Sequence, residues 1–83
     1  MDINKKTLYD LRRINNILNN YQTAEYPFVS SRLAWLLRYK KAPLDVLNAF
    51  IYKATAIFKN QWYGDEQEQL IIDNFLKNPL MSR

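Results

Sequence analysis

Gly64 is the only glycine in this chain of 83 residues. Tight hairpins turn through backbone conformations with φ > 0, which glycine and Asn-Gly pairs supply and most side chains resist, so a chain with one glycine is poorly equipped to join strands into a sheet. Helices need no such residues. An all-α fold is therefore the expectation before any periodicity is considered. A chain this short encloses one apolar core, which predicts a single domain over residues 1–83. With 48% apolar and 24% charged residues it has the composition of a folded chain and not of a disordered or fibrous one.

The periodicity predicts four helices, over about 4–21, 27–40, 43–60 and 65–77. In the first, Leu11, Ile14, Leu18 and Tyr21 recur at helical spacing, with Lys5, Arg13, Asn16 and Asn20 opposite. Pro27 suits the first turn of the second, where its missing N–H leaves no bond unmade. That helix carries Val29, Leu33, Leu36 and Leu37 on one side and Phe28, Trp35 and Tyr39 beside them, so both stripes are expected to seek burial. Pro43 separates it from the third and most apolar helix, with an expected inner stripe of Leu44, Leu47, Ile51, Ala54 and Phe58, widened by Phe50 and Ile57. Asp65 to Glu68 resembles a capping box opening the fourth, whose inner face is Ile71, Ile72, Phe75 and Leu76 and which Asn78-Pro79 ends. Four amphipathic helices on short connections pack most simply as an antiparallel up-down four-helix bundle.

Catalytic chemistry has little to work with. Without cysteine there are no disulfides or thiolate metal sites, and without histidine there is no imidazole to act as a base near neutrality. Asp65, Glu66 and Glu68 crowd a helix N-terminus, where negative charge is favourable on dipole grounds alone, and a single glycine rules out a glycine-rich phosphate loop. A non-enzymatic protein with no cofactor and no metal is expected. The start Met1 to Lys6 has no apolar stretch behind its lysines, and no run approaches the roughly 20 apolar residues of a spanning helix, so a cytoplasmic location is expected.

Binding remains, and the charge is unevenly placed. Residues 1–41 hold eight basic and three acidic side chains, whereas 42–83 hold four and five. Arg32, Arg38, Lys40 and Lys41 gather toward the end of the second helix. They read either as a solvated terminus matched to the helix dipole or as a contact for lipid head groups or nucleic-acid phosphates. Trp62-Tyr63, in the turn before the fourth helix, reads either as a partner-binding pair or as a plug closing the end of the bundle.

From Leu8 to Leu76 the chain resembles the immunity proteins of pediocin-like (class IIa) bacteriocins, small basic helical bundles that protect the producing cell. The resemblance is carried by Pro43-Leu44, Leu47-Asn48, Ile51, Ala56-Ile57, then Gln67 or Gln69 before Leu70-Ile71, a run of common residue types at helical spacing. It implies a protein that blocks pore formation from the cytosolic side by recognising the bacteriocin engaged with the mannose phosphotransferase permease. In that family the last helical hairpin and tail determine which bacteriocin is countered, which implies Lys59, Trp62, Tyr63, Lys77 and Arg83 as partner-binding residues here. The tail after the fourth helix, Asn78 to Arg83, is shorter than in many members. Two other readings fit the composition: a phage- or plasmid-encoded helical protein that inhibits a host protein, and a DNA-binding domain using Arg12, Arg13, Arg32, Arg38, Lys40 and Lys41. The third helix is too apolar for a groove-reading helix, which places nucleic acid last.

Overall fold

The computed structural model describes residues 3–64 and 66–79. Its elements are α1 Lys5–Asn19, a 3-10 turn Thr23–Glu25, α2 Tyr26–Arg38, α3 Leu44–Phe58 and α4 Glu66–Lys77, and no strand occurs among the described residues. Asn4 starts α1, its Oδ1 accepting the Thr7 N–H at 2.8 Å. Pro27 lies in the first turn of α2, and the extended Pro43 (ψ 141°) precedes α3, whose first turn carries Asp45 at the positive end of the dipole. The capping residue expected at Asp65 lies outside the described residues, while Glu66 and Glu68 occupy the first turn of α4.

Scarcity of glycine leaves a signature at the helix ends. Tyr21, Lys40 and Asn60 all adopt left-handed φ, at 51°, 52° and 57°. Each closes a Schellman motif: Gln22 N–H donates to Ile17 O and Tyr21 N–H to Leu18 O, Lys41 to Leu36 and Lys40 to Leu37, Gln61 to Ala56 and Asn60 to Ile57, all between 2.7 and 3.2 Å. The expected ends at 21, 40 and 60 therefore overran the observed ones by two residues each, because cap and left-handed residue continue the sequence pattern after the helical backbone has stopped. Glycine usually holds this position. Tyr21 is exposed, so Tyr21→Gly is expected to stabilise the chain by about 0.5–1 kcal/mol, seen as a melting temperature a few degrees higher. An unchanged or lower melting temperature would show that the tyrosine ring compensates for its backbone.

α3 is the central helix and packs against α2 and α4, with α1 touching it more lightly. The core draws on Leu11, Ile14 and Leu18 of α1, Val29, Leu33 and Leu36 of α2, Leu47, Phe50 and Ile57 of α3, and Ile72 and Phe75 of α4. Burying a side chain of this size stabilises by about 1.5–3 kcal/mol, so even a small core offsets much of the chain's ordering entropy.

Several expected core positions lie outside it. Tyr21 points into solvent from its left-handed cap, and Leu37 of α2 is exposed. Leu44 and Phe58 are also exposed, at 63% and 70%, whereas Val46, Ala49 and Lys53 are buried in their place. The buried band of α3 is rotated because the helix has neighbours on more than one side, and their positions choose the band. Trp35 and Tyr39 remain 45% and 50% exposed and of the three only Phe28 packs against the core, so the aromatic stripe of α2 is a surface and not a second core face.

Candidate functional site

Three stripes divide α2. Residues 29, 33 and 36 face the core. Residues 28, 32, 35 and 39, four, three and four apart, form a second stripe, and 26, 30, 34 and 37 a third.

The second stripe is a ladder of rings and cations. The Arg13 guanidinium, from α1, lies 4.1 Å from the Phe28 ring centre, and Arg32 lies 5.5 Å from Phe28 and 5.8 Å from Trp35. Lys41 stands 5.8 Å from Trp35 and Arg38 5.5 Å from Tyr39, while Trp35 and Tyr39 tilt against each other at 5.1 Å. Attraction between a cation and a ring face fixes both partners where they would otherwise be mobile. Arg32 is held further by Asp10, whose Oδ2 it meets at 2.6 Å and whose Oδ1 receives Lys6 Nζ at 3.1 Å. Asp10 is 2% exposed, a buried carboxylate between two cations.

The third stripe opens onto a trough between α2, α3 and the 3-10 turn, about 780 Å³ in volume. Small residues line it on both helices, Ser30 and Ala34 on α2 and Ala54 and Thr55 on α3, together with Leu33, Leu37 and Ile51. Tyr26 and Phe58 close one end, stacked at 5.4 Å, and the Tyr26 hydroxyl donates to Ala54 O at 3.1 Å. Burial raises the Tyr26 pKa above its ordinary value. Among the described residues, no charged side chain lines the trough.

On α3, Lys53 is almost wholly buried. Its ammonium donates to Asn19 Oδ1 of α1 at 2.6 Å and to Gln69 Oε1 of α4, and Gln69 in turn donates to Asp73 Oδ1 at 2.8 Å. Desolvation lowers the Lys53 pKa, opposed by the charge of Asp73. The Trp62 ring centre lies 5.3 Å from Lys53 Nζ, and Trp62 meets Tyr52 edge to face at 6.4 Å.

The two readings of Trp62-Tyr63 thus separate by residue. Trp62 is packed against the core and covers Lys53, whereas Tyr63 is 87% exposed. Lys59 and Lys77 are exposed, with Lys77 at the other end of α4, roughly 17 Å along its axis from the turn, and Arg83 lies outside the described residues. Lys77 therefore stands apart from the turn that carries Lys59 and Tyr63. Of the basic group, Arg32 is engaged with Asp10, and Arg38, Lys40 and Lys41 are exposed. The ladder adds Phe28, Trp35 and Tyr39, whose alignment the spacing already contained, and Arg13, which α1 brings to it; Arg13, the trough and Lys53 could not be found from spacing, since they follow from how helices meet.

Among the described residues, no three His, Cys, Asp or Glu side chains gather as metal ligands, and no helix is long and apolar enough to cross a membrane. Comparison with protein-family models, curated proteins and solved structures gives no match.

Proposed function

We propose that the chain is a non-catalytic docking protein of the bacteriocin-immunity kind, folded as an antiparallel up-down bundle. It would protect its cell by binding a mannose phosphotransferase permease engaged by a pediocin-like bacteriocin, from the cytosolic side. The trough between α2 and α3 carries this reading. It is open, neutral and about 780 Å³, and its wall along Tyr26 to Leu37 extends roughly 17 Å, long enough for about three turns of an apolar helix laid between two helices. Lys59, next to the terminal Phe58, adds a polar contact beyond one end. The absence of histidine and cysteine from the sequence supports a binding role over a catalytic one.

The test is survival of a sensitive strain expressing the protein when exposed to a panel of pediocin-like bacteriocins, with recovery of the permease on the tagged protein. Ala34 is exposed in the trough wall, so Ala34→Trp fills the groove from an open position. It is expected to reduce permease recovery at least tenfold, about 1.4 kcal/mol, without changing the melting temperature. Protection against none of the panel would end the immunity reading, and undiminished protection by Ala34→Trp would remove the trough from it.

A further inference from the structure

The ladder on α2 lies on another side of the helix from the trough, so the permease reading leaves it unused. We propose that it is a docking face for an anionic phospholipid surface, holding α2 along the membrane plane. The charge is complementary: Lys6, Arg13, Arg32, Arg38 and Lys41 surround the stripe, and among the described residues the carboxylates paired with them are Asp10, buried under Lys6 and Arg32, and Glu25, 3.7 Å from Arg13. Indole and phenol rings are amphipathic and settle at the level of lipid head groups, and Trp35 and Tyr39 present about half their surface there. A helix with such a face lies in the interface without spanning it.

The same chemistry could attract nucleic-acid phosphates, but the ring geometry favours lipid. Single-stranded bases bind by stacking on open aromatic faces. Here Phe28 and Trp35 each have two cations near the ring, and Tyr39 lies against both Trp35 and Arg38. The rings serve as supports that hold the cations in place.

The experiment is cosedimentation of the full chain with phosphatidylglycerol-containing vesicles and with pure phosphatidylcholine vesicles, at about 50 mM and 200 mM salt. Binding is expected only with the anionic vesicles, weakening with salt, and with a shift of tryptophan emission to shorter wavelength that Trp35→Phe removes. The triple variant Arg13→Gln, Arg38→Gln, Lys41→Gln spares the Asp10 pairs. At about fivefold per cation it should bind anionic vesicles about 100-fold more weakly, with helix content and melting unchanged. No sedimentation with anionic vesicles at low salt, equal binding to both vesicle types, or displacement of the protein from vesicles by a single-stranded oligonucleotide at equal phosphate would overturn the proposal. Because vesicles contain no permease or bacteriocin, this outcome is independent of the survival assay.

Discussion

Gln69→Leu is expected to cost about 3 kcal/mol, measured by urea unfolding, although the residue removed is neutral and only partly buried. The cost lies with its partner. Lys53 is buried and charged, with its hydrogen bonds to Asn19 and Gln69 replacing the water it lost on folding; without Gln69 the ammonium remains buried and under-bonded. Lys53→Met retains the length of the side chain and removes the charge, and is expected to stay within about 1 kcal/mol of the parent, as replacements of buried ions by apolar groups often do. If the methionine variant proved less stable than the leucine variant, the buried charge would be a net source of stability. The pH dependence has a definite sign. Because the folded pKa of Lys53 lies below the ordinary 10.5, the folded chain releases this proton before the unfolded chain does, so stability rises from the lowered pKa up to 10.5. Tyr26, raised above 10.0, acts in the opposite sense and lowers stability as pH climbs past 10.0. Subtracting the Lys53→Met profile from that of the parent isolates the rise.

Arg32→Met is expected to cost about 3 kcal/mol, the low end for breaking a buried pair, because Lys6 still faces Asp10. Lys6 is a weak substitute: its side chain is 69% exposed, so its attraction is diluted by water, whereas Arg32 approaches Asp10 at 2.6 Å. The double variant Asp10→Asn, Arg32→Met should recover more than half of the loss, since no unpaired carboxylate then remains inside. Equal stability of the single and double variants would mean that Arg32 acts through its packing on Phe28 and Trp35 alone.

The helical character of the chain was legible because the signals are local. One glycine, a proline in the first turn of the second helix and another just before the third, and apolar residues every three or four positions act over a few residues, and nothing distant reverses them. The overrun at three helix ends came from the same locality. Tyr21, Lys40 and Asn60 carry no glycine to announce a left-handed turn, so composition concealed a backbone change that the Schellman hydrogen bonds reveal.

Burial was legible only in part. Leu11, Ile14 and Leu18 face the core as their spacing predicts. On α3 the same arithmetic placed Leu44 and Phe58 inside, where the structure instead buries Val46 and Lys53. A lysine counts as polar in any periodicity, yet this one lies where Asn19 and Gln69 can satisfy its ammonium.

The amino-acid order by itself determined that the chain is helical, nearly where its helices lie, and that Phe28, Arg32, Trp35 and Tyr39 share one side of α2. Only the tertiary structure decided that this side stays open, that small residues on α2 and α3 leave a trough, and that Lys53 and Asp10 are inside. Helical period assigns each side chain an angle about its own axis, but whether that angle meets water or another helix depends on where the other helices pack.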